Sequence, residues 1–213
     1  MSTPSVRRRA TPAERTHEIR DAAIAIARES GLPAVTLRAV AARAGVTPAL
    51  VAHYIDGTEQ LAADAFSAIV ADELESLLEL VREQPRPRVQ MATLLRELMR
   101  PERLAVTAIW VDGWALGRRH VIIAAQVRHE MDRWRNAVAE IISAGRVSGD
   151  FPVVDVEEAT RGVLAMIDGI NSHALVGWNA EDGRAALLQR AVDAILRVPA
   201  DAEGVGLTEP DEP

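Results

Sequence analysis

Twenty residues constrain this chain more than any others: residues 36–55, TLRAVAARAGVTPALVAHYI. Gly45 separates two short apolar-patterned segments. A sharp turn is needed there, and a residue without Cβ enters φ > 0 at little cost. Ala41 falls where the first helix must pass close under the second. Val40, Ala44, Val46, Val51 and Tyr54 take the inward positions that lock the pair. Thr47 suits an N-cap and Pro48 the first helical position, so the second helix has a marked start. Each signal is common alone; together they predict a helix-turn-helix, and with it a surface for DNA. The competing reading is an ordinary helical hairpin in a core.

Charge sharpens the first reading. The chain is acidic overall, at −7. Residues 1–58 nevertheless hold eight Arg against five Asp and Glu, and the remainder carries the acidic excess. Phosphate binding follows local charge, because salt screens beyond about 10 Å. The basic run Arg7–Arg8–Arg9 lies in an expected disordered arm over residues 1–10. It is either a solvated tail or a minor-groove or phosphate-binding arm. No apolar run follows it, so a signal peptide is not expected. No membrane span is expected either. Cysteine is absent, which excludes disulfides and thiolate metal sites and fits a cytoplasmic protein.

The rest of the chain reads as helix. Thr11-Pro12-Ala13-Glu14 is a capping box. The helix it opens carries Ile19, Ala22, Ala23, Ile26 and Ala27 on one face and ends at Ser30-Gly31. Thr36 caps the next helix, and Thr58 caps a long one reaching about Arg82. Helices follow at about 88–99, from Pro101 to about Gly117, and at 121–144. Residues 145–154 read as a turn-rich loop. Asp155 and Glu158 make a second capping box for a helix to about Gly177, and residues 181–197 form the last. The expected fold is all-α with about nine helices. Its parts are a head at 11–57, a body at 58–198 and a disordered acidic tail at 199–213.

Residues 15–66 resemble the DNA-binding domain of the TetR family of bacterial transcriptional regulators. The resemblance rests on Arg15–Ala23 (RTHEIRDAA), Gly31, Thr36-Leu37, Val40–Val46, His53-Tyr54 and Leu61. Trp110-x3-Trp114 and Ala165-Met166-Ile167-Asp168-Gly169 resemble the body of the choline-sensing BetI branch. The resemblance implies a homodimeric repressor that binds a palindromic, double-stranded operator and is released by a small-molecule effector. It also implies that the last two helices form a four-helix dimer interface. Two positions depart from the family: Ile55 replaces the common Phe, and Thr58 replaces the Lys that usually grips a phosphate. A shallower salt dependence is therefore expected.

Within the head, Thr36, Thr47, His53, Tyr54 and Thr58 are the candidates for positioning contacts with phosphates. Pure packing is the alternative for Tyr54, and an ordinary surface side chain for His53. Pro48, Ala49 and Leu50 can touch thymine methyls but offer no side-chain hydrogen bond. Arg38 and Arg43 are the nearby charges, and Arg43 either meets DNA or pairs with a carboxylate inside the head. Much of the specificity is expected to be indirect, through groove shape.

In the body, Trp110 and Trp114 share a helical face. They either pack in the core or line a pocket in which aromatic faces attract a cation, with Asp112 and Asp168 as counter-charges. Val163, Met166, Ile167, Ile170 and Ala174 form one apolar stripe, and Leu187, Leu188, Ala191, Val192 and Ile195 another. They are core in a monomer or interface in a dimer. The histidines have no ligand spacing, so neither metal nor other cofactor is expected. Glu29, Asp64, Asp72 and Glu73 read as solvated, and no hydrolase, P-loop or dinucleotide motif is present. An enzyme or a helical scaffold with an incidental hairpin is the alternative reading.

Overall fold

The computed structural model describes residues 11–152, 155–178 and 183–198. Among these, nine α-helices and two 3-10 turns form, with no strand. The helices are α1 (Pro12–Ser30), α2 (Leu37–Ala44), α3 (Pro48–Tyr54), α4 (Thr58–Arg82), α5 (Pro87–Leu98), α6 (Leu104–Gly117), α7 (Val121–Ser148), α8 (Val156–Ala174) and α9 (Arg184–Ile195). The expected basic arm at 1–10, with Arg7–Arg9, and the acidic tail at 199–213 lie outside the described residues.

Most boundaries fall where the capping chemistry puts them. Thr11 and Glu14 complete the reciprocal box at the start of α1. Gly31 ends that helix at φ 82°, its N–H donating to Ala27 O at 2.9 Å. Asp155 caps α8 by accepting from the amides of Glu157 and Glu158 at 2.9 and 3.0 Å. α4 begins on Thr58 itself, with Gly57 rather than Thr58 just outside the helix.

The largest difference lies in α7, which runs through Gly145 to Ser148 instead of stopping at Ala144. Gly145 is not a stop signal. The Phe151 ring lies where its Cβ would be, 2.0 Å from that position, and Phe151 N–H donates to Gly145 O at 3.0 Å. The glycine admits an aromatic ring against the helix, and Gly149 at φ 83° follows the last turn.

The chain divides into two compact units. One comprises the residues up to Leu74 with Ala105–Asp132. The other comprises Glu75–Leu104 with the residues from Arg133 onward. In the first, α1, α2 and α3 share a core with the early part of α4, α6 and the start of α7. Ile19, Val40, Val51, Leu61, Phe66, Ile109, Ile123 and Val127 are buried there. In the second, α8 packs on α9 and α5 on α9. Asn171 Nδ2 donates to Leu98 O at 3.4 Å and Arg184 to Met99 O at 3.2 Å, so both later helices reach the end of α5.

Two acidic positions depart from the solvated reading. Glu73 is buried, and Asp64 is half-buried, facing Arg20 and accepting from Gln60. Glu73 lies on the inward face of α4 between Val70 and Leu77, which periodicity shows once the helix phase is fixed.

Candidate nucleic-acid interface and sensor face

A helix of seven residues is too short to persist alone in water, so α3 depends on its caps and its packing. The turn before it closes as a Schellman motif. Val46 N–H donates to Ala41 O at 2.9 Å and Gly45 N–H to Ala42 O at 3.3 Å, with Gly45 in the left-handed region at φ 66°, ψ 34°. Thr47 then caps α3, its hydroxyl accepting from Leu50 N–H at 3.2 Å, and Thr36 caps α2 the same way from Ala39 N–H at 3.1 Å. Val40, Ala41 and Val51 seal the contact between the two helices. Ala44, Val46 and Tyr54 are half-buried at its edge.

The outward side of this hairpin carries the DNA candidates. Thr36, Arg38, Thr47, Pro48, Ala49, His53 and Thr58 are all exposed. Tyr54 is half-buried, with the His53 ring edge-on at 5.3 Å. Arg43 is also exposed, but its guanidinium forms a bidentate pair with Glu29, both bonds at 2.6 Å. The hydrogen bonds of that pair hold the Glu29 carboxyl below its ordinary range and the Arg43 guanidinium above its own. Arg15 pairs with Glu18, Arg20 with Asp64 and Arg28 with Asp72. Among the described residues, Arg38 is the head arginine without a carboxylate partner.

On α6 the rings of Trp110 and Trp114 lie 5.8 Å apart, tilted by 37°. Both are half-buried, and Phe66 of α4 meets Trp110 edge-on at 5.1 Å. The pair is thus packed on one side and open on another. Asp112 is engaged elsewhere: its Oδ2 accepts from Leu32 N–H at 2.9 Å. Asp168 belongs to the other unit. Its side chain keeps exposed surface, yet the protein crowding around the carboxyl removes enough hydration to push its pKa up to about 6.

Sequence reasoning missed Glu130. It is 1% exposed on α7, its Oε1 accepting from Ser67 Oγ at 2.6 Å and Gln126 Nε2 at 3.2 Å. Ser67 follows Phe66, so neighbouring residues of α4 touch the tryptophan and the buried acid. The signal was present: Ile123, Val127, Glu130 and Trp134 recur at helical spacing, and an acid within that stripe is an inward acid.

The two apolar stripes split. Val163, Leu188 and Val192 have no exposed surface, and Ile167 and Ala174 have only 6% each. These five are core where α8 meets α9, because a fully covered side chain has no surface to offer a partner. Met166, Ile170, Ala191 and Ile195 are half-buried, and Leu187 is 48% exposed. Beyond the end of α8, Val176 and Trp178 are exposed as well.

Comparison with known proteins decides the family. Residues 87–197 match the model for the C-terminal region of BetI-type transcriptional repressors, and residues 19–65 match that of the bacterial regulatory proteins of the tetR family. The chain belongs to the TetR family. It is a DNA-binding transcriptional regulator with a BetI-type C-terminal region, and not an enzyme. The regulator BetI of Rhizobium meliloti (strain 1021) is 26% identical over 152 residues, covering 70% of this chain and 72% of that protein. BetI of Burkholderia cenocepacia (strain HI2424) is 25% identical over 178 residues, 81% and 88% of the two chains. A solved transcriptional regulator from Pseudomonas aeruginosa PAO1 shares the fold with a TM-score of 0.74 at 21% identity, over 90% of this chain and 95% of that one. Another, from Saccharomonospora viridis in complex with choline, has a TM-score of 0.71 at 18% identity, over 87% and 96%. Among the described residues no helix is long and apolar enough to cross a membrane, and no cluster of three or more His, Asp or Glu is arranged to hold a metal.

Proposed function

We propose that the protein is a homodimeric repressor that binds a palindromic operator in the bacterial cytoplasm and leaves it when a small organic cation binds. The observation that carries the DNA half is the capped, outward-facing α3, with Thr47, Pro48, Ala49 and His53 exposed along it. Thr36, Thr47, Tyr54 and Thr58 would position the phosphates. Arg38 is the described charge free to meet the duplex, while Arg43 serves the head through Glu29. Apolar contacts from Pro48 and Ala49 leave groove shape a large share of the readout.

Dimerisation is supported by the half of each stripe that α8 and α9 leave uncovered: Met166, Ile170, Leu187, Ala191 and Ile195. Apolar surface left open on a protomer favours association. The functional division stays head 11–57 and body 58–198, with α4 joining them. A tilt of α4 on effector binding would change the spacing of the recognition helices, and ligand and operator would then weaken each other equally.

For the effector, the half-open faces of Trp110 and Trp114 suit a quaternary ammonium group. Asp112 already holds a backbone amide and Asp168 belongs to the other unit, so the aromatic faces carry this reading. The choline-bound structural relative supports the same class. Choline chloride titrated against tryptophan fluorescence tests this. Saturable quenching that weakens on Trp110→Leu and on Trp114→Leu is expected. A flat titration up to about 10 mM, above the range useful for an effector site, removes choline as the effector.

A further inference from the structure

Between Leu104 and Gly117, α6 contains one charged residue, Asp112. An acid in an otherwise uncharged, largely apolar helix needs a partner, and the partner here is a main-chain amide of the head. Asp112 Oδ2 accepts from Leu32 N–H at 2.9 Å. Leu32 opens the 3-10 turn that joins α1 to α2, where an N–H has no partner within its own helix. Gly31 makes the approach possible: a Cβ there would stand 2.7 Å from the same oxygen. Four residues beyond Leu32, Thr36 caps α2. The corner that aims the helix-turn-helix therefore receives a hydrogen-bonding hold from the Asp112 carboxylate of α6.

Trp110 and Trp114 flank this residue at two positions either side. Two residues are about 200° around a helix, so the tryptophan face and the Asp112 side lie nearly opposite on α6. A rotation of α6 moves both at once. Next to Asp112, Gly113 is buried under Phe66 and Val127. The helix thus carries its aromatic face, its closest packing point and its hold on the head within five residues.

We propose that Asp112 is a positioning residue for DNA binding: its carboxylate fixes the α1–α2 corner, so that the setting of α6 sets the affinity of the head for its operator. Displacement of α6 from the tryptophan side withdraws the hydrogen bond and frees the corner. The proposal rests on the operator-binding reading above and adds the residue through which α6 acts on it.

The test uses the full-length protein and two readouts. One is hydrogen exchange at the Leu32 amide. The other is fluorescence anisotropy with DNA from upstream of the protein's own gene, against a scrambled duplex. Asp112→Ala removes the acceptor, Asp112→Leu does so while keeping the volume filled, and Asp112→Asn retains an acceptor without the charge. Loss of one charge-assisted hydrogen bond predicts roughly tenfold faster Leu32 exchange and roughly tenfold weaker operator binding in the Ala and Leu variants. Asp112→Asn is expected to recover most of both. Wild-type exchange at Leu32 in the Leu variant, or wild-type operator affinity with the amide freed, overturns the proposal. So does an Asn variant as impaired as the Leu variant. If the wild type does not prefer its upstream DNA, the operator reading fails, and unchanged Leu32 exchange overturns the hold on the corner independently.

Discussion

Gly113→Ala isolates how tightly α6 is fitted into the first unit. In an open helix this change stabilises, because alanine exceeds glycine by about 1 kcal/mol in helix propensity. Here the added Cβ would stand 2.7 Å and 3.0 Å from two ring carbons of Phe66 and 3.2 Å from Val127. Phe66 has no exposed surface and carries Trp110 against its edge, so its ring has no free direction to yield. Overpacking a core by one methyl costs about 1–3 kcal/mol. Set against the propensity gain, the net is a loss of up to about 2 kcal/mol. For a chain of this length each kcal/mol moves the melting temperature by about 2–4 °C. A fall of up to about 8 °C is therefore expected by circular dichroism at fixed protein concentration, which matters because a dimer's melting temperature depends on it. The Trp110 emission should shift as well. A melting temperature above wild type would refute the packing argument, since propensity alone predicts that rise.

Two further expectations concern charge and the end of α3. The raised pKa of Asp168, about 6 against an ordinary 3.8, means that folding favours its protonated form. Its stabilising contribution is complete below the unfolded value and is lost as pH rises through about 6. Asp168→Asn should therefore raise the melting temperature at pH about 7.5 and change it little near pH 4; an equal shift at both would contradict the assignment. Thr47→Ala removes the cap of a seven-residue helix, a loss of about 1 kcal/mol. Operator affinity should drop more than global stability does, and Thr47→Ser should restore it; a parallel loss of both would point to a structural role alone.

Local chemistry made much of the head legible in advance. Gly45 sits in the left-handed turn, Thr36 and Thr47 accept their capping bonds, and Val40 and Val51 are sealed. Each of these follows from residues within a few positions of one another. What stayed hidden depends on distant partners. Arg43 had two open readings, and the choice went to Glu29, fourteen residues earlier. Asp112 read as a counter-charge for a ligand, but its acceptor is spent on Leu32, eighty residues away. Gly145 looked like a helix stop because its true neighbour, the Phe151 ring, belongs to packing and not to propensity. The α8 and α9 stripes divided into core and surface halves, a division that periodicity does not contain because both halves share one apolar arc. Glu130 and Glu73 were available to a stricter phase argument: both fall on the buried stripe of their helices.

Arg38 and α3 carry the central claim, so the most direct measurement is operator binding as a function of salt. Fluorescence anisotropy would follow DNA from upstream of the gene and a scrambled duplex of equal length, between about 50 and 200 mM salt. The account predicts preference for the upstream DNA and a shallow salt slope. Arg38→Gln in both protomers of a dimer should flatten that slope further, by about two units if each arginine meets one phosphate. Equal binding of both duplexes, or a slope untouched by Arg38→Gln, would contradict it.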